Sequence, residues 1–108
     1  MKKAVTARDI LQHAKRLIAL PDRWLKFTLA ADKDGHEIDD ENPKAVAFCA
    51  LGAICRASYL LEDRNKKAYY DAFWKLGKAM GGNIVDYNNA PQRTHRQILA
   101  AFDRASKY

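Results

Sequence analysis

The sequence predicts a mainly α-helical protein, a four-helix compact bundle around a buried central helix at about 43–61, with a small β-hairpin or extended arm at about 24–38. Apolar residues recur at helical spacing near both ends of the chain, whereas the middle segment is apolar on nearly every side. Residues 24–29 alternate instead as a strand does. Because 108 residues suffice for one hydrophobic core, we expect a single domain over 1–108.

The first helix is expected from Ala7 to Ile18, with Thr6 as its N-cap and Pro21 closing the segment. Charged and polar residues fill one face of this helix, which predicts a surface position with one buried stripe. The stripe comprises Ala7, Ile10, Leu11, Ala14, Leu17 and Ile18.

The next segment, RWLKFTLAAD, has the alternation of a short strand. Its two faces are Leu25, Phe27 and Leu29 on one side, and Trp24, Lys26 and Thr28 on the other. Asp34-Gly35 predicts a turn, after which Glu37-Ile38 returns as a second short strand. Since an isolated hairpin is barely stable in water, we expect this one to pack against the helices.

The central helix is expected to begin at Asn42-Pro43, because Asn accepts from the free amides of the first turn and Pro lacks the donor that this turn leaves unused. It would continue to about Leu61. Apolar residues cover both of its sides, which places it in the middle of the bundle. One side holds Val46, Cys49, Ala50, Ala53, Ala57 and Leu61, and the reverse side holds Phe48, Leu51, Cys55 and Tyr59.

Two further helices complete the bundle. The third, about 66–80, ends at Gly81-Gly82, where a left-handed cap is easily formed. Its expected buried residues are Tyr69, Ala72, Phe73, Leu76 and Met80. NIVDYNNAPQR is expected to be an irregular link. The fourth helix begins at Thr94, whose partner Gln97 completes a capping box, and it directs Ile98, Leu99, Phe102 and Ala105 inward.

The net charge of +6 is unevenly distributed. Residues 31–41 contain six acids and one lysine, so the remainder is a strongly basic body. Charged residues interrupt every apolar run before it reaches the length of a membrane span or a signal peptide, and we expect a cytoplasmic protein. DKDGHEIDDE lacks the EF-hand spacing of oxygen ligands and glycine, so no metal or cofactor is predicted.

The run FCALGAICRA, residues 48–57, combines two cysteines with a mid-helix glycine. Such a glycine costs about 1 kcal/mol relative to alanine, and close approach of another element would offset that cost. We therefore interpret the run as a packing surface with reduced, buried thiols. The alternative is a thiol-dependent enzyme with Cys49 as nucleophile, His95 or His36 as base, and Asn88 or Asn89 orienting the base.

Several spaced motifs resemble a known family. They are Trp24, Asp34-Gly35, Pro43-x-Ala45, FCALGAI-x-RA at 48–57, Ile84-x-x-Tyr87-Asn88-Asn89, Thr94 and Ile98-Leu99-x-x-Phe102-Asp103-x-Ala105. This pattern is similar to that of a family of small bacterial and phage proteins of unknown function. Members typically carry Asn-Asp after the later aromatic residue, where this chain has Asn88-Asn89. The resemblance implies the fold but brings no activity.

Two candidate sites follow. YNNAPQRT, residues 87–94, either braces the last helix or directs Asn88 and Asn89 toward Arg56 and Trp24, forming a small polar pocket for an anion or an amide. The third helix interleaves aromatic and basic residues that could stack bases and hold phosphates: Lys66, Lys67, Tyr70, Trp74, Lys75 and Lys78.

The function predicted first is a small binding or interaction module without catalysis, with another protein as its possible partner. The alternative is a nucleic-acid or polyanion-binding protein that uses the basic aromatic face. Joint exposure of Tyr70 and Trp74 would favour a dimer or partner interface over a monomer. The oligomeric state does not follow from the sequence.

Overall fold

In this computed structural model, which describes residues 4–64 and 66–108, four of the five α-helices begin at a residue whose side chain caps them. The α-helices are α1 (Ala7–Leu17), α2 (Ala50–Leu60), α3 (Lys67–Ala79), α4 (Ile84–Asn89) and α5 (His95–Ala105), with a 3-10 turn at Pro21–Arg23. The predicted capping boxes at Thr6 and Thr94 are both present. Gly81 and Gly82 adopt positive φ after α3, as predicted. A mainly α-helical fold with a small hairpin is therefore confirmed.

The sheet is small and is centred on two strands, β1 (Ala30–Ala31) and β2 (Ala47–Phe48). They pair antiparallel, with Ala30 opposite Phe48 and Ala31 opposite Ala47. A single bridge joins Ala31 to Glu37, so the predicted turn and return strand exist in short form. Trp24 bridges the other side of β2.

The predicted start of the central helix is wrong, because α2 begins at Ala50 and not at Pro43. Asn42 caps only a turn, in which its Oδ1 accepts from the Lys44 N–H at 2.9 Å. The following backbone is used by the arm: Val46 N–H donates to Ala31 O at 2.9 Å, and Leu25 N–H donates to Phe48 O at 3.1 Å. These bonds draw 46–48 into the sheet, so the N-cap role falls to Cys49.

The link between α3 and α5 is also more regular than predicted. Residues 84–89 form the short helix α4, which Asn83 caps by accepting from the Asp86 N–H at 2.8 Å. Three residues expected in the interior are exposed: Phe73 on α3, Tyr59 near the end of α2, and Val46, which precedes β2 and lies outside the helix.

The core lies between α1, α2, α3 and α5. α2 packs against α1, α3 and α4, while α5 packs mainly against α1 and α3, so α1 shares the centre with α2. Ala50, Gly52 and Ala53 are enclosed, as the packing interpretation requires. Within the part of the chain that the structure describes, no helix has both the length and the apolar character to cross a bilayer.

Candidate functional site

Asn88 is the centre of a buried hydrogen-bond cluster. It is 1% exposed, and its Oδ1 accepts from Trp24 Nε1 at 2.7 Å and from the Ala50 N–H at 2.9 Å. Its Nδ2 donates to Leu25 O at 3.1 Å and to Asn89 Oδ1 at 3.0 Å. We call these five residues the asparagine junction. It ties the arm, α4 and the start of α2 together, and it uses both donors and both acceptor positions of the Asn88 amide.

Asn89 extends the junction to the arm. Its Oδ1 also accepts from the Phe27 N–H at 2.9 Å, so one oxygen takes two hydrogen bonds. Beside it, Lys26 Nζ donates to Ala90 O at 2.7 Å and lies 5.7 Å from the centroid of the Trp24 ring. The arm between residues 24 and 27 is therefore held on α4 by side chains from both segments.

Only the oxygen of the Asn89 side chain takes part in these two hydrogen bonds. We expect Asn89→Asp to change the free energy of unfolding by less than about 0.5 kcal/mol, because a carboxylate accepts the same two hydrogen bonds. Asn89→Ala should cost about 1 to 2 kcal/mol, because the Phe27 and Asn88 donors lose their acceptor. Urea denaturation followed by circular dichroism measures both. Equal losses in the two variants would contradict this account.

The arm also closes over the glycine of the FCALGAICRA run. Leu29 O accepts from the Cys49 N–H at 3.2 Å, and it occupies the space that a Cβ on Gly52 would need. The close approach that the sequence predicted is thus made by the backbone of the arm.

Arg56 lies apart from this cluster. Its guanidinium donates to Asp40 O at 3.1 Å and to Asn42 O at 2.9 Å, and it stands 5.9 Å from the centroid of the Phe48 ring. Of the predicted pocket residues, the structure brings Trp24, Asn88 and Asn89 together, while Arg56 anchors the end of the acidic loop to α2. Three surface cavities lined by described residues have none of these four residues in their lining.

The Cys49 thiol caps α2, with its Sγ accepting from the Gly52 N–H at 3.3 Å. A helix N-terminus ordinarily lowers the pKa of a thiol, but burial outweighs that effect and raises the pKa of Cys49. Burial likewise raises the pKa of Cys55. His95 Nε2 lies 2.7 Å from Ile18 O, to which it donates. His36 lies in the exposed acidic turn, beside Asp32.

That turn gathers Asp32, Asp34 and His36, whose ligand atoms lie within 4.8 Å of one another. Asp32 Oδ1 accepts from the N–H groups of both Asp34 and His36 at 2.9 Å. These bonds lower the pKa of Asp32, the His36 N–H being the larger cause. The cluster is therefore the closure of a hairpin turn.

A second candidate site covers the exposed side of α3. Tyr70 is 64% exposed and Trp74 is 59% exposed, one helical turn apart. Lys78 Nζ lies 5.0 Å from the Trp74 ring centroid and 5.2 Å from that of Tyr108, which is 50% exposed. We call Tyr70, Trp74, Lys78 and Tyr108 the aromatic–lysine surface.

The other basic residues predicted for this site differ in their surroundings. Lys66 and Lys67 lie exposed at the start of α3, whereas Lys75 Nζ is 3.6 Å from the Asp71 carboxylate on the same helix. Sequence reasoning missed Tyr108, because no local pattern places the C-terminal residue beside α3. It also missed the exposure of Phe27. The sequence signal that could have indicated it is the position of this aromatic residue between two polar residues of the arm, Lys26 and Thr28.

Together, the fold and its contacts define a class: a small, mainly helical domain whose arm is pinned to its core by asparagines, with an aromatic face left open on one helix. The chain belongs to the family of unknown function DUF6197, which it matches over residues 2–108. The resemblance to a family of unknown function is thereby confirmed. No curated protein and no solved structure matches it.

Proposed function

We propose that this protein is a non-catalytic binding module and that the aromatic–lysine surface is its contact surface. The joint exposure of Tyr70, Trp74 and Tyr108 carries this proposal. Large aromatic side chains are costly to leave in water as a group, and they supply most of the energy at protein interfaces. Cys49 is buried and Cys55 is half-buried, and the raised pKa values of both thiols support a role without covalent catalysis.

The charge on this surface indicates an acidic partner protein. Lys78 lies among the rings, and Lys66 and Lys67 lie at the start of the same helix. Residues 31–41 hold six of the chain's thirteen acids and one of its nineteen lysine and arginine residues, which leaves the rest of the molecule basic. An acidic partner would be attracted over a distance of about 10 Å at moderate salt before the aromatic residues make contact.

A cytoplasmic location in a bacterial or phage-infected cell accords with this function. Cys49 and Cys55 are both free thiols, which a reducing compartment preserves. The sequence resemblance to small bacterial and phage proteins supports the same setting.

Single-stranded nucleic acid is the second candidate ligand. The position of Lys78 between two exposed rings favours it, because bases stack on such rings while an ammonium group holds the phosphate. Titration of a deoxythymidine oligonucleotide of about a dozen nucleotides across salt concentrations separates the two candidates. A steep salt dependence with tight binding supports nucleic acid, whereas weak binding with a flat response removes it.

Trp74→Ala is expected to weaken binding of a fluorescein-labelled peptide rich in Asp, Glu and Leu by about tenfold, because the largest exposed ring of the surface is lost. Fluorescence anisotropy measures the dissociation constant. Tyr59→Ala is the matched control, since Tyr59 is a similarly exposed aromatic residue on α2. Equal effects of the two substitutions, or no binding of the peptide to the wild-type protein, would contradict the proposed contact surface.

A further inference from the structure

Phe27 has an unusual combination of backbone and side-chain features. Its φ is 73°, in the left-handed region that an aromatic residue rarely adopts because its Cβ approaches the backbone. Its side chain is 79% exposed, the highest value among the large apolar residues in the described parts of the chain. Burial of the ring therefore does not offset the conformational energy of the left-handed backbone.

The asparagine junction maintains this conformation from both sides. Asn89 Oδ1 accepts from the Phe27 N–H at 2.9 Å, and the Asn88 amide holds Leu25 O at 3.1 Å. Because Asn88 is itself fixed to Trp24 and to the start of α2, the position of Phe27 is coupled to the core. Strained conformations that the surrounding structure enforces are concentrated at functional sites.

The cation next to Phe27 in the arm is already engaged, and a second apolar side chain of the arm is exposed. The neighbouring ammonium group, Lys26 Nζ, is turned onto Ala90 O at 2.7 Å and Pro91 O at 3.4 Å. Leu29, two residues further along the arm, is 41% exposed. A phosphate or an anionic lipid surface would require a cation here, whereas an uncharged apolar pocket would not.

We propose that Phe27 is an anchor that inserts into an uncharged apolar pocket of a partner protein, and that Asn88 and Asn89 hold it in the inserting conformation. A ring whose backbone is already fixed loses little conformational entropy on binding. This site lies on the arm and is separate in sequence from the aromatic–lysine surface. It does not depend on the function proposed for that surface.

The first test measures the strain. Phe27→Gly should raise the melting temperature by about 4 °C, because glycine adopts this φ without steric cost and the exposed ring contributes little packing. Lys33→Gly is the control: an exposed residue of the same hairpin region without positive φ, where added flexibility should lower the melting temperature. A lower melting temperature for Phe27→Gly would show that the ring serves the fold, and would overturn the proposal.

The second test identifies the occupant. The photoreactive residue benzoylphenylalanine is placed at position 27, and in parallel at Tyr59, in cells of the natural host. We expect a discrete protein crosslinked only from position 27, whose purified form binds Phe27→Gly about tenfold more weakly than wild type. Its affinity for Trp74→Ala should be unchanged, which separates this site from the aromatic–lysine surface.

Three results would overturn the proposal: the same crosslinks from both positions, Phe27-dependent self-association in analytical ultracentrifugation, or Phe27-dependent binding to neutral phosphatidylcholine vesicles. The second of these would assign the anchor to another copy of the chain. The third would assign it to a lipid surface.

Discussion

Gly52→Ala is expected to destabilise the protein by about 3 kcal/mol, a large part of the stability of a domain of this size. A Cβ at this position would overlap Leu29 O and lie 2.8 Å from the carbonyl carbon of the same residue. Neither atom can move freely, because Leu29 O accepts the Cys49 N–H. The substitution would push the arm away from α2 or expel α2 from the core. Urea denaturation followed by circular dichroism measures the loss.

Gly77→Ala is the matched control, because Gly77 also lies within a helix and is buried. A Cβ there would be 3.1 Å from Gly82 O, a tight contact that a small shift can relieve. Alanine also gains about 1 kcal/mol of helix propensity over glycine, so we expect little net change. A Gly52→Ala protein as stable as Gly77→Ala would show that the arm does not press on α2.

Asn88→Leu is expected to cost about 4 kcal/mol. Leucine is close to asparagine in size, so the loss comes mainly from hydrogen bonding: Trp24 Nε1 and the Ala50 N–H lose their acceptor, and Leu25 O loses its donor. Each buried group left without a partner costs about 1 to 3 kcal/mol. Denaturation in urea gives the change in free energy. The near-ultraviolet circular dichroism signal of Trp24 should also weaken, because the indole ring loses its fixed environment.

Asn83→Ala is the matched control for this asparagine. Asn83 caps the same helix, α4, but it is exposed and forms one side-chain bond, to the Asp86 N–H. Loss of an exposed N-cap costs about 1 kcal/mol. If Asn88→Leu costs no more than Asn83→Ala, the asparagine junction is not a structural centre of the protein.

The middle segment shows where prediction from sequence succeeds and where it stops. The small residues at 50–53 predicted an enclosed surface, and Gly52 predicted a close approach, because helix propensity alone disfavours glycine there. The start of α2 was misplaced because Asn42-Pro43 is locally a good helix start. In the folded protein, residues 46–48 pair with the backbone of the arm, about 20 residues away in sequence, and therefore cannot join the helix. Local caps cannot report on such long-range backbone bonds.

Arg56 and the asparagines show the same division at the candidate site. The polar character of YNNAPQRT singled out Asn88 and Asn89, and the structure joins both to Trp24 or its neighbours. Arg56 instead binds carbonyl groups at Asp40 and Asn42. A side chain in an apolar helix needs polar partners, but its sequence position does not say whether they come from an asparagine or from a loop carbonyl.

The sequence by itself determined the helical class, the capped ends of α1 and α5, the glycine stop after α3, and the enclosure of 50–53, because these depend on local hydrogen bonding and on apolar periodicity. Only the tertiary structure decided that the arm, α2 and Asn89 together satisfy the Asn88 amide. It also decided that Phe27 is held exposed in a left-handed conformation and that Tyr108 joins Trp74 around Lys78. Each of these features arises from contacts between residues far apart in the chain. Such contacts leave no periodic pattern in the sequence, because the residues that stabilise one another lie in different elements.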